Sequence, residues 1–285
     1  MPSLPDPIAV GVVCGLEAQD IDVDFYYAES APGQQELSVR HAPALEAADH
    51  QVAFREIVRG VASRHGLIAS FLPKIFEQSA GNGCHINLSL WQGGKTVTGD
   101  EGHETGLSAP TRAFIAGLLH HLPGLSALTT PSSNSFRRIR PHHWAGAFVV
   151  WGYGNREAAV RVMRDASGTA NRFELKTADA TANPYLALGA ILAAGLDGLS
   201  RDLPLTAEVT LDPGLISATE REAKGIDALP GDFGEALDAL RQDAVLLEAL
   251  GDARAKAYLA VKGAEWEALK DLSLEREVEL LLERY

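Results

Sequence analysis

Seven consecutive residues, Asn171-Arg172-Phe173-Glu174-Leu175-Lys176-Thr177, hold the densest chemistry in the chain. Side chains alternate across a strand, so Arg172, Glu174 and Lys176 share one face while Phe173 and Leu175 take the other. Two cations flanking a carboxylate suit a cleft that holds phosphate, a metal ion and an anionic substrate together. A solvated, ion-paired sheet edge would carry the same pattern, and the heptapeptide alone leaves both readings open. Its surroundings favour a site. From Arg137 to Lys176 there are seven Arg and one Lys against three acids (Glu157, Asp165, Glu174), in a chain whose formal net charge is -13. The same overall acidity argues against general nucleic-acid binding, which needs a broad basic surface.

The elements that must position this strand can be read outward from it. Asn183 and Pro184 form an N-cap and first-turn pair that starts a helix through about Leu196, packed by Leu186, Leu188, Ile191 and Leu192. Before the arginine segment, Ser108 caps a helix with Pro110 in its first turn; Pro123-Gly124 is expected to end it, leaving His120 and His121 as helix-end residues. Earlier still, Gln78 to Trp91 joins a glycine-containing loop to a strand that puts His85, Asn87 and Ser89 on one face and Ile86, Leu88 and Leu90 behind. Leu67 to Lys74 reads as a strand, Gln92 to Gly106 as a mobile polar excursion, and Pro43 to His65 as a helix stopped by Gly66, with Val52, Phe54, Ile57, Val58 and Val61 as its buried face. Asp24 to Val39 reads as two strands around Pro32-Gly33, a turn that can bring Glu29 and Glu36 together. Two carboxylates about 4 Å apart repel by roughly 4 kcal/mol at an effective dielectric of about 20, so such proximity calls for a proton or a cation. Separate exposed acids are the alternative.

Ile8 to Ile21 reads as a short helix, and Met1 to Pro7 as irregular and proline-rich. The apolar run from Ile8 to Val13 is too short to span a bilayer and has no Lys or Arg before it, so no membrane association is expected and cytoplasm is the simplest address. Residues 200–285 read as an acidic, mostly helical C-terminal part. Ser273 opens its last helix, and Glu275, Glu277 and Glu279 are expected on a solvated face. Two cysteines give neither a disulfide framework nor a four-ligand zinc pattern. With 285 residues, 46% of them hydrophobic, the chain suffices for one large core.

Four stretches in fixed order carry a resemblance: Asn134-Ser135-Phe136-Arg137-Arg138-Ile139-Arg140-Pro141, Gly154-Asn155-Arg156-Glu157-Ala158-Ala159-Val160-Arg161, Arg172-Phe173-Glu174-Leu175-Lys176, and Thr181-Ala182-Asn183-Pro184-Tyr185-Leu186-Ala187. Together they resemble the catalytic domain of the glutamine synthetase superfamily. The resemblance implies an α+β fold across residues 1–285, with a curved antiparallel sheet forming the active-site cleft and helices packed outside. It implies an ATP-dependent ligase that joins the γ-carboxylate of glutamate to an amine or ammonia through a γ-glutamyl phosphate. Glu29, Glu36, His85 and Glu174 match ligands of Mg²⁺ or Mn²⁺. Arg156, Arg161 and Lys176 match catalytic positions, Lys176 standing where an Arg is usual and so losing bidentate geometry. Asp24, Asn87, Ser89, Arg161 and Arg172 fall on the nucleotide side. Gly81, Arg138, Arg156 and Lys176 fall on the substrate side, with Trp144 at the amine.

Three departures from the family pattern shape these expectations. Trp144 stands where glutamine synthetases offer a carboxylate to ammonium, which points to an organic amine whose apolar part rests on the indole; packing of the loop alone is the alternative. Only 28 residues precede Glu29, so the family's N-terminal β-grasp domain and a further pair of metal-binding glutamates are expected to be absent. Asp24 stands where a Glu is usual. A homo-oligomer, or complementation by a separate N-terminal half, would follow for an enzyme; a truncated, inactive relative that keeps the fold and partial nucleotide or metal binding is the alternative.

Overall fold

The computed structural model describes residues 6–285; Met1–Pro5, most of the stretch read as irregular, lie outside the described residues. The Asp6 carboxylate accepts from Ile8 N at 3.0 Å, and Pro7 fits the first turn, so α1 (Pro7–Glu17) starts there. A hairpin follows, β1 (Val23–Ala28) antiparallel to β2 (Gln35–Val39), with Gly33 at φ +71° in its turn. The helix α2 (Ala44–Arg64) then packs on α1 around Val12, Leu16, Ile21 and Val61, with Phe54, Ile57 and Val58 half-buried beside them. Val52, expected in that face, is exposed.

The short strand β3 (Ile86–Leu88) belongs to the main sheet, whereas β4 (Trp91–Gln92) and β5 (Lys95–Thr96) form a separate two-stranded ribbon. The stretch expected as an excursion is therefore organised: Thr98 is buried and Gly99 bridges to Leu107. Ser108 then caps α3 (Ala109–Thr129), which continues through Pro123 and Gly124. A mid-helix proline costs about 3 kcal/mol. Tertiary packing outweighs that cost, because α3 is buried along most of its length and Gly124 lets the backbone at Ala239 and Leu240 come so close that a Cβ there would be crowded. His120 and His121 are consequently mid-helix residues.

After α4 (Ser133–Arg138) come β6 (Phe148–Tyr153), β7 (Ala158–Arg164) and β8 (Ala170–Leu175), giving a four-stranded sheet in the order β3-β8-β7-β6. The β3-β8-β7 part is antiparallel as expected, but β6 pairs with β7 in parallel, so the sheet is mixed. Parallel neighbours usually need a crossover of a dozen or more residues. Here residues 154–157 alone bring the chain back: Gly154 turns at φ +61°, and Asn155 Nδ2 ties the return to Val209 O (2.7 Å) and Leu211 O (3.0 Å).

Asn183 accepts from Tyr185 N and Leu186 N and so caps α5 (Pro184–Ser200), which crosses α3. Small residues, Ala187, Ala190, Ala194, Gly195 and Gly198, line its buried side, and Leu192 faces out. The remainder forms α6 (Ala218–Ala223), α7 (Phe233–Gln242), α8 (Ala244–Leu250), α9 (Asp252–Leu269) and α10 (Leu274–Leu281). Phe114, Phe173, Trp151, Ile191, Phe233 and Leu240 belong to one main core between sheet and helices.

Two further expectations fail here for identifiable reasons. Residues 67–74 form no strand: Lys74 N donates to Asn134 Oδ1 (2.7 Å), Asn134 Nδ2 to Lys74 O (2.9 Å) and Phe71 N to Tyr285 O (3.0 Å), so this backbone is satisfied outside any sheet. Glu277 is buried rather than solvated, because Arg137 Nε meets its Oε2 at 2.6 Å and Asn134 Nδ2 donates to the same oxygen. No helix among the described residues is long and apolar enough to cross a membrane.

Candidate active site

The charged face foreseen on β8 exists and is mostly buried. Antiparallel register sets Glu174 opposite Asn87 of β3 on one side and opposite Arg161 of β7 on the other. His85 Nδ1 lies 3.1 Å from Glu174 Oε1, and Arg161 Nε lies 2.8 Å from Glu174 Oε2, though not in hydrogen-bond geometry. Burial disfavours the Glu174 charge. The His85 contact, with Lys176 and Arg161 beyond it, more than compensates and pulls the carboxyl down to about 2. Burial pushes the His85 imidazole below its ordinary value and Lys176 down to about 8, with Arg161 and Arg138 adding to the effect on Lys176.

The β1–β2 turn does join Glu29 and Glu36. Glu29 lies just past β1 and Glu36 is paired with Tyr27 in the hairpin. Glu29 accepts from Ser30 N (2.8 Å), Ser30 Oγ (2.9 Å) and Tyr27 OH (2.9 Å), bonds that lower its pKa against burial. Glu36 moves the other way: burial, and then the charges of Glu29 and Glu174, raise it. Three carboxylates and an imidazole thus share one electrostatic neighbourhood. In kind, this donor set fits a hard divalent cation, and the raised Glu36 marks the uncompensated negative charge that such an ion would balance. Among the described residues, no three His, Cys, Asp or Glu side chains are drawn up around one point; His85 and Arg161 engage the oxygens of Glu174 instead.

Arg138 is buried beneath this face, where a Cβ on Gly81 would press on its stem and one on Gly83 on its guanidinium. Its Nη2 donates to Ala178 O at 3.0 Å while Nε has no partner. The glycine loop is therefore shaped around the arginine, and Gly81 O in turn accepts from Gln34 Nε2 at 3.0 Å. Five other expected residues stand apart from this cluster. Asp24 is exposed beside the β1 bulge, Arg156 is exposed on the return loop without an ion pair among the described residues, and Arg172 is exposed and donates only to Asn171. Ser89 accepts from Trp91 Nε1 at 2.9 Å. Trp144 is 52% exposed, at φ +54°, on a loop whose His142 Nδ1 lies 2.7 Å from Asp212 Oδ2.

Sequence reasoning missed three residues. Asp179, buried, puts a carboxylate near Arg138 and accepts from Thr181 through Oδ1. Gln34 clamps the glycine loop to the hairpin. Glu157 is buried under Trp144, whose N–H donates to Glu157 Oε1 at 2.8 Å. Glu157 precedes β7 on the return loop, so its place beside Trp144 follows from the fold of that loop and not from strand alternation.

Such an assembly of carboxylates, imidazole and buried cations can hold a metal ion and two anions in one cleft. Known proteins resemble the chain in sequence and in fold. The model of the glutamine synthetase catalytic domain matches residues 5–281. A γ-glutamylpolyamine synthetase, GlnA3, of Streptomyces coelicolor is 43% identical over 260 residues, covering 90% of this chain and 56% of the relative. A glutamine synthetase of Clostridium saccharobutylicum is 37% identical over 270 residues, covering 95% and 61%. Among solved structures, a GmaS/ADP complex superposes with a TM-score of 0.83 at 34% identity, covering 96% of this chain and 63% of the other. A glutamine synthase homolog gives 0.84 at 33% identity, covering 98% and 63%. The chain spans about three fifths of the length of these relatives. It belongs to the glutamine synthetase family.

Proposed function

We propose that this chain carries the catalytic portion of an ATP-dependent carbon-nitrogen ligase that joins the γ-carboxylate of glutamate to a primary amine through a γ-glutamyl phosphate. The observation that carries the reading is the Glu174 centre, where a buried carboxylate is flanked by His85 and Arg161 with Lys176 and Arg138 behind. Two anions must meet for ATP to phosphorylate a carboxylate, and preorganised positive charge in a water-poor cleft is what that step demands. Arg138, with a free Nε–H beside Gly81 and Gly83, suits the α-carboxylate of glutamate. Arg161 and Lys176 suit the phosphoryl oxygens; Arg156, exposed on the return loop, would have to turn inward to join them. Asn87 and Ser89, with the exposed Asp24 and Arg172 at the rim, suit the nucleotide, in keeping with the ADP of the GmaS complex.

Glu29, Glu36, His85 and Glu174 would hold Mg²⁺ or Mn²⁺, which would supply charge neutralisation for the triphosphate. At the third substrate, Trp144 in place of a carboxylate favours an organic amine over ammonium, as the name of the Streptomyces relative does. Assembly with further copies, or with a separate N-terminal half, and a cytoplasmic location belong to the same reading. The test is phosphate release by the purified protein with ATP, glutamate and Mn²⁺ against ammonium, methylamine, putrescine and spermidine. Release that depends on an organic amine is expected. Release with ammonium alone would overturn the amine assignment, and release with none of them would overturn the ligase reading.

A further inference from the structure

A buried acid lies in the fold thirteen residues beyond Trp144. Glu157 is 6% exposed, its Oε1 accepts from Trp144 N, and its Oε2 is buried with no hydrogen-bond partner. A native protein rarely leaves a buried carboxylate oxygen unpartnered, since the lost solvation is returned by nothing. Glu157 sits at the end of the return loop, immediately before β7, and its charge is felt at Lys176. Among the described residues no Arg or Lys pairs with it: the groups that act on it are Asp212, the main chain at Trp144 and His142, and the His142 ring, with Lys176 at longer range. A buried carboxylate, its pKa raised by that burial, thus lies against the main chain of the exposed Trp144.

We propose that Glu157 is the amine-binding carboxylate of this enzyme, its Oε2 accepting from the ammonium group of a substrate whose methylenes lie against Trp144. This deepens the ligase reading and rests on it. The pairing gives the indole and the acid separate tasks: Trp144 selects for carbon next to the nitrogen, and Glu157 supplies the counter-charge. Glu157→Gln keeps the size and an acceptor for Trp144 N–H while removing the charge, so it separates the two tasks.

The experiment compares putrescine, cationic at neutral pH, with hydroxylamine, which is uncharged there and needs no counter-ion. Glu157→Gln should raise the KM for putrescine roughly 10- to 150-fold, the range for losing a hydrogen bond to a charged group. Hydroxamate formation from hydroxylamine, and the KM for glutamate and ATP, should stay near wild type. The thermal shift that putrescine produces in the wild type should disappear in the variant. Glu157→Asp, which keeps the charge, should regain part of the putrescine reaction. An unchanged KM for putrescine, an equal fall in both reactions, or equal losses in the Gln and Asp variants would each overturn the assignment. A wild type that forms neither product would overturn the ligase reading itself, a result separable from all of these.

Discussion

Replacing Glu174 by Gln should cost about 3 kcal/mol of folding stability at neutral pH. Glu174 is 4% exposed and lies within 2.8 Å of Arg161 and 3.1 Å of His85. Removing one partner of a buried ion pair typically costs about 3–5 kcal/mol, because the charges left behind have neither water nor counter-ion. Two features hold the loss to the lower end. Gln preserves an oxygen for His85, and Lys176, already at about 8, can shed its proton once the carboxylate is gone. Urea unfolding of both proteins, with and without Mn²⁺, measures the effect. A ligand at a hundred times its Kd stabilises by about 2.7 kcal/mol, so Mn²⁺ should shift the wild type by that order and Glu174→Gln by far less. A loss under about 1 kcal/mol would refute the ion-pair accounting, and an equal Mn²⁺ shift in both proteins would refute the metal assignment.

Two further outcomes follow from the helices. His121 is buried between Asp243 Oδ2 (2.7 Å) and Asp197 Oδ2 (3.0 Å); burial opposes its charge, but these two acids raise its pKa above the ordinary value. A raised folded-state pKa stabilises fully below the unfolded value and is lost as pH climbs through the folded one, so wild-type stability should decline from about pH 6 upward. His121→Gln should lose about 3 kcal/mol at acidic pH and show a flatter profile, and parallel profiles in urea titrations would contradict this. Gly117→Ala should destabilise by about 3 kcal/mol, since its Cβ would collide with Ala194 O and the Gly198 backbone where α3 crosses α5; a melting temperature within a degree or so of wild type would show that the crossing can widen.

Much of the site could be read from alternation alone. Arg172 and Glu174 fall on one face of β8 with Lys176 just past its end, Asn87 lies on the facing part of β3 with His85 just before it, and the β1–β2 turn brings Glu29 to Glu36. These are period-two and turn effects, local in the chain. What escaped depends on distant partners. The length of α3 beyond Pro123 is decided by packing against α7, the irregular course of residues 67–74 by Asn134, and the burial of Glu277 by Arg137. The parallel β6–β7 pair rests on Asn155 reaching Val209 and Leu211, more than fifty residues on. Glu157 was counted among three acids but given no role, because its environment is made by the Trp144 loop, whose shape needs φ > 0 at His142, Trp144 and Gly146.

The short helix α4 presents Arg137 and Arg138 in opposite directions. Arg137 grips Glu277 of α10, Arg138 sits against the glycine loop, and Asn134, one turn back, bonds both Glu277 and the main chain at Lys74. A substitution in α10 that touches no substrate would therefore loosen the seat of the glutamate-side guanidinium and the loop facing it in a single stroke. Sequence drift at that remote end is disciplined by the chemistry at the cleft.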